Sequence, residues 1–115
     1  MDINEWLQKF KEYWQVHNID GILSLFDKNV IYYETPFNKL ENFDVLAKEW
    51  KSVTQQNNIT LIYQVYSSDK NKYSVIFKLK YFDKQDVEKN FAGTYLIELN
   101  NAGLCAYFHQ TCEEL

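Results

Sequence analysis

The segment NVIYYETPF, Asn29 to Phe37, constrains the rest of the chain more than any other. Val30, Ile31, Tyr32 and Tyr33 are β-formers, and Thr35 continues the pattern. Pro36 has no N–H to give to a ladder, so the strand ends or bends there. Helical patterns stand before and after it, and four longer strand patterns close the chain. A single strand between helices has no neighbour of its own and must join a sheet built later. The seam where helices meet that sheet is where a cavity can open.

The first helix is predicted from Ile3 to His17. Asp2 can cap it, with Glu5 three residues on, as in a capping box. Ile3, Trp6, Leu7, Phe10, Trp14 and His17 share one face, flanked by Tyr13. Asn18 follows as its end, and Asp20 can cap a short helix from Gly21 to Phe26 in which Ile22, Leu25 and Phe26 are apolar. Asp27 and Lys28 turn into the strand. Asn42 can cap a third helix, Phe43 to Val53, whose buried stripe is Phe43, Leu46, Ala47, Trp50 and Val53. Thr54 to Asn58 is polar and reads as a loop.

The closing strands are predicted at Ile59 to Tyr66, Tyr73 to Phe82, Val87 to Leu99 and Leu104 to about Thr111. Tyr73, Val75, Phe77, Leu79 and Tyr81 alternate with Ser74, Lys78 and Lys80. Phe91, Tyr95, Ile97 and Leu99 share a face opposite Asn90, Thr94 and Glu98, and Gly93 among them suggests a bulge or bend. Short connections make these four strands an antiparallel meander. The order helix, helix, strand, helix, then four strands is that of an α+β domain with helices on one face of a curved sheet. At 115 residues, the whole chain is read as one domain, 1–115.

Composition narrows the function classes. Nine Tyr, eight Phe and three Trp make 17% of the chain, and that much ring surface must fill a core, line a cavity or form an interface. Net charge is −4 and all twelve basic residues are Lys, which disfavours nucleic acid as a partner and a polybasic membrane anchor. No apolar run reaches the ~20 residues that span a bilayer. The N-terminus lacks the basic and apolar regions of a signal peptide. Cys105 and Cys112, on one predicted strand, lie about 20 Å apart by strand rise, too far for a disulfide. They read as buried, reduced thiols of a cytoplasmic protein. Two His and two Cys at these spacings match no zinc pattern, so no metal and no cofactor is expected.

Four stretches in this order, FKEYWQVHNIDGILSLFDKNV, YYETPF, ENFDVLAKEW and GLCAYFHQTCEEL, resemble the NTF2-like superfamily and its SnoaL-like branch across nearly the whole chain. The resemblance implies a cone: three N-terminal helices packed on a strongly curved mixed or antiparallel sheet (α-α-β-α-β-β-β-β) that encloses a deep pocket. It also implies homodimers through the outer sheet face. Activities in the superfamily range from ketosteroid isomerisation, polyketide cyclisation and dehydration to epoxide hydrolysis and simple binding, so fold alone does not choose one. In the isomerase branch an Asp just before the strand-ending proline is the general base. Thr35 holds that place here, and Glu34 is one residue earlier. A one-residue offset turns a side chain to the opposite face, so without a bulge Glu34 points away from where that base would act. The branch's oxyanion-donating Tyr falls in the neighbourhood of Tyr13 and Trp14, and its second acid falls near Thr94 and Tyr95. The ending resembles a group in which a GLC turn leads into Phe, an Arg-Glu pair and aromatics. Phe108 matches, while His109 and Gln110 replace the pair and Thr111 and Cys112 replace the rings.

Two residues could carry proton transfer. His109 is one, because an imidazole in general titrates near neutrality. Alternation groups it with Cys105 and Tyr107, against Ala106, Phe108 and Gln110, and both sets are mixed, so either could face inward; the competing reading is a histidine at a rim or dimer interface. Glu34 would act as a base once burial raised its pKa, against the commoner reading of an outward or Lys-paired carboxylate. His17 more simply meets the first helix's dipole as a cation. Trp14, Tyr33, Trp50, Tyr63, Phe77 and Tyr95 are candidate ligand-binding residues, with Thr35 and Phe37 at the rim; plain core is the alternative. Buried Tyr hydroxyls need partners, which a cavity supplies through water or ligand. Tyr66, Tyr81, Phe82 and Tyr107 are expected on the outer sheet face, where an apolar patch predicts a homodimer.

The chain therefore reads as a binding protein for a small apolar or aromatic molecule. As an enzyme it would perform acid–base isomerisation, cyclisation or dehydration on a ring-containing substrate, because no nucleophile or cofactor motif is present. The alternative is a non-catalytic homodimeric adaptor module.

Overall fold

Asp2 starts the first helix. Its carboxylate accepts the Glu5 N–H at 2.8 Å, and α1 runs Ile3–Gln15 in the computed structural model, which describes residues 1–115. The helix stops two residues before His17. His17 takes the left-handed conformation (φ 57). Its N–H then reaches the Trp14 carbonyl at 3.1 Å, and the Asn18 N–H reaches that of Tyr13 at 2.8 Å, a Schellman ending. Asn18, not Asp20, caps α2 (Ile19–Leu23), because its side-chain oxygen accepts the Gly21 N–H at 2.9 Å. One residue thus closes one helix and opens the next, and Phe26 is released to begin β1 (Phe26–Thr35).

Pro36 does end that strand. The chain turns there and returns as a two-residue strand, β2 (Asn38–Lys39), which the sequence did not reveal. Asn42 accepts the Val45 N–H at 3.0 Å to cap α3 (Phe43–Lys51), and a short 3-10 turn, Ser52–Gln55, follows. Then come β3 (Asn57–Asp69), β4 (Lys72–Phe82), β5 (Glu88–Leu99) and β6 (Cys105–Glu114). No helix is long and apolar enough to cross a membrane.

The six strands form one mixed sheet in the order β2-β1-β6-β5-β4-β3. The last four make the expected antiparallel meander. The early strand β1 joins it beside β6 and parallel to it, pairing Tyr32 with Phe108 and Tyr33 with His109. The architecture is α+β, with three helices on one face of the sheet.

The core lies between those layers. Phe10 on α1 is at its centre, with ring centroids of Trp6, Trp14, Phe26, Trp50, Tyr95 and Phe108 at 5.1, 5.4, 6.5, 5.4, 6.0 and 6.2 Å. Trp6 is fully buried and donates its indole N–H to the Leu25 carbonyl at 2.9 Å. Cys105 is buried as expected. Cys112 is not: it lies near the end of β6 and is exposed, and both thiols are free.

The irregularity expected at Gly93 lies elsewhere. Both ladders run through Gly93 unbroken, pairing it with Phe77 and Cys112. The register slips instead between Glu98 and Leu99, where Ala106 is the extra residue on β6. Gly93 serves close approach: a Cβ there would stand 1.9 Å from the Thr111 carbonyl oxygen on the neighbouring strand. Gly93→Ala must push backbone against backbone. Urea unfolding should show a loss of about 1–3 kcal/mol, and an unchanged midpoint would mean that β5 and β6 can part freely here.

Candidate functional site

Side-chain alternation on three strands builds one cavity. On β1, Tyr32 and Glu34 turn toward the helices while Tyr33 and Thr35 turn away. On β4, Phe77, Leu79 and Tyr81 face the same way. On β6, the bulge at Ala106 lets Cys105 and Phe108 both point inward, and Gln110 and Cys112 follow. Phe91 comes from β5, Trp14 from α1, Glu49 and Trp50 from α3, and Ser52, Val53 and Gln56 from the segment after it. Together they line a half-open cavity of about 320 Å³.

Six of the fourteen lining residues are aromatic. Trp14 and Trp50 meet edge to face at 5.1 Å, and the Trp14 indole N–H donates to Gln56 Oε1 at 2.9 Å. Tyr81 and Phe91 stack at 5.8 Å. Tyr95 lies behind the wall, stacked on Phe77 at 4.0 Å and 4°. Its hydroxyl is buried and has no hydrogen-bond partner. Burial raises its pKa well above the ordinary value, and the nearby Tyr32 and Cys112 add to that.

Two carboxyl groups stand in this apolar setting. Burial holds the Glu34 carboxyl above the ordinary range, the charge of Glu49 adds to the shift, and so does a carboxyl–carboxyl hydrogen bond that exists only while one of the two is protonated. The Gln110 amide donates to the Glu34 main-chain carbonyl at 3.3 Å. Burial, then the Glu34 charge, raises the Tyr32 hydroxyl. Burial also raises the Cys112 thiol, which disfavours its thiolate. No Lys or His lines the cavity. The chain's two ion pairs, Lys72–Glu98 and Lys89–Glu114, lie elsewhere. No three His, Cys, Asp or Glu side chains cluster as a metal site would require.

Among the residues singled out from the sequence, the structure brings Glu34, Trp14, Trp50 and Phe77 together, with Tyr95 behind them. Glu34 faces the cavity after all, because it stands two residues from the inward Tyr32. His109 does not join it. Parallel pairing sets His109 beside Tyr33, and both turn to the other face of the sheet. There its ring lies 5.2 Å from Tyr33 and 6.4 Å from Tyr107, and its Nε2 donates to the Pro36 carbonyl at 3.1 Å. Tyr63 also stands outside the cavity, donating to Gln8 Oε1 at 3.1 Å with Lys11 above its ring. Thr35 is exposed and Phe37 is 97% exposed, because the turn at Pro36 carries them away from the cavity. Tyr81, expected on the outer face, is in the wall; its place on the Phe77 face of β4 was the available signal. Tyr32, Glu49 and Gln110 were missed. Tyr32 could have been found by counting back two from Glu34, whereas Glu49 needed the position of α3 and Gln110 needed the bulge.

No protein-family model matches the chain, and no curated protein matches its sequence. Solved structures do resemble it. An NTF2-like protein of unknown function from an Exiguobacterium species superposes with a TM-score of 0.78 at 15% identity, covering 94% of this chain and 98% of that one. The Delta 5-3-ketosteroid isomerase of a Mycobacterium species gives 0.82 at 12% identity, with 98% of each chain covered. A Mycobacterium tuberculosis protein in complex with estradiol-17beta-hemisuccinate gives 0.78 at 15% identity, covering 91% of this chain and 88% of that one. The chain has the NTF2-like fold.

Proposed function

We propose that the chain binds a small ring-containing molecule in this cavity, and that Glu34 and Glu49 exchange a proton with it in an isomerisation, cyclisation or dehydration. The observation that carries this reading is the carboxyl pair set among rings, with Glu34 raised toward neutrality. Burial and the neighbouring Glu49 charge make Glu34 a stronger base than a free glutamate, and once protonated it is an acid that can return the proton. Trp14, Trp50 and Phe77 supply ring surface, while Gln56 and Gln110 supply a few fixed polar groups, the usual make-up of a small-molecule site. Structural neighbours that include a ketosteroid isomerase and a steroid complex support the same class of ligand. Thr35, Phe37, Tyr33 and Tyr63 take no direct part in this reading, nor does His109.

The outer sheet face supports a second role. Ile31, Ile62, Tyr66, Ile76 and Leu96 are exposed there, beside Tyr107 and His109. Such a face fits a homodimer, and His109 then belongs to its interface. Two free thiols fit a reducing compartment such as the cytoplasm.

Ring compounds screened by thermal shift should include one that stabilises the fold. A ligand at about 100 times its dissociation constant adds ~2.7 kcal/mol, and Ser52→Trp at the cavity edge should abolish the shift. A panel of one- to four-ring compounds with no effect would overturn the reading. The carboxyl pair has a pH signature of its own. The folded state penalises ionised Glu34, so that group's stabilising effect is complete below its ordinary 4.5 and is lost as pH rises through its raised folded value. Glu34→Gln should therefore melt above wild type at pH of about 8 and level with it at about 4; equal melting at both would show no penalty. Light scattering should give a dimer, and Ile76→Lys with Leu96→Lys should give a monomer. A wild-type monomer at high concentration would dismiss the interface.

A further inference from the structure

We propose that the cavity selects a protonated amine: its ligand is a one- or two-ring body bearing an ammonium group, held at Glu34 and Glu49 within walls of Trp and Tyr rings. This rests on the reading of the cavity as a small-molecule site and specifies the charge of what enters it.

Charge balance is the first observation. Two carboxyl groups line the cavity and no Lys, Arg or His does. The chain has twelve lysines, yet none pairs with Glu34 or Glu49. Glu49 is open to solvent, but Glu34 is partly buried and has no cation to offset its desolvation. An incoming ammonium offsets it.

The walls favour the same guest. Trp14, Trp50, Tyr32 and Tyr81 all line the space. The faces of such rings are electron-rich and attract ammonium groups, most strongly where water is excluded. A metal ion fits the site poorly. Two carboxyl groups fall short of the six to eight oxygens that calcium takes, and no third ligating side chain joins them. The volume of about 320 Å³ lies at the small end of the ~300–1,000 Å³ range of ligand sites. That suits one or two rings better than four.

Proton linkage follows from the neighbours of Glu34. Glu49 faces it from α3, Tyr32 from its own strand, Tyr81 from β4, and Gln110 and Cys112 from β6. Beyond them the His17 ring is bonded to the Gln56 main-chain carbonyl, and no lysine reaches the space. With no cation among these groups, burial and the Glu49 charge hold the Glu34 carboxyl above its ordinary range. Its negative charge therefore builds as pH rises, and ammonium binding tightens with it.

Calorimetry with tryptamine and tryptophol tests this on the unaltered chain, because the two differ in ammonium against hydroxyl. Tryptamine should bind at least about tenfold more tightly at pH 8 and lose most of its advantage at pH 5. Glu34→Gln with Glu49→Gln should remove the advantage of tryptamine over tryptophol. Tryptophol binding as tightly as tryptamine overturns the charge assignment and leaves the small-molecule reading intact. Neither compound binding also overturns the charge assignment, and the ring-compound panel then decides separately whether the cavity takes any ligand. Should the double variant fail to fold, the paired ligands and the pH series on wild type still decide the matter.

Discussion

The ring of Phe10 is the contact on which the rest of the molecule depends. Six other aromatic rings meet it, from α1, α3, β1, β5 and β6. Each such pair contributes about 0.5–1.5 kcal/mol beyond the area it buries. More important is where those partners stand in the chain. Phe10 ties the first helix to a helix some forty residues on and to strands near the C-terminus. It therefore fixes how closely the helices approach the sheet. The cavity begins where that cluster stops, at Trp14, Trp50 and Phe77.

Polar chemistry enters only at the edges of this apolar body. No buried residue is polar or charged. The carboxyl groups at the cavity are those of Glu34, which is partly buried, and Glu49, which is exposed at its edge. Burial and the Glu49 charge hold the Glu34 carboxyl above its ordinary range, so its ionisation costs stability and links the site to the fold as a whole.

Much of this was legible in the residues. Asp2 and Asn42 cap their helices as their positions imply, because a side-chain oxygen next to an apolar-periodic run has one obvious use. The buried stripes of α1 and α3 follow from helical spacing, and the inward face of β4 follows from alternation. What alternation leaves unspecified is which of two faces meets the helices. For β1 that depends on β6, seventy residues away, because parallel pairing sets Tyr33 beside His109 and so turns Tyr32 and Glu34 inward. For β6 it depends on one extra residue, Ala106, which no local pattern announces. Glu49 was hidden for another reason: on a helix, the residue beside a buried Trp reads as solvated until the sheet's carboxylate is placed opposite it.

The bulge at Ala106 has a chemical consequence. It works as a parity switch for the strand beyond it. With the extra residue on the N-terminal side, odd positions face out and even positions face in, so an amide and a thiol enter the wall while an imidazole is kept outside. Moving that extra residue past Gln110 would exchange amide for imidazole in the wall and leave the composition of the chain unchanged. In a sheet of this kind, the chemistry of a cavity is altered as readily by a shift in strand register as by substituting the residues that line it.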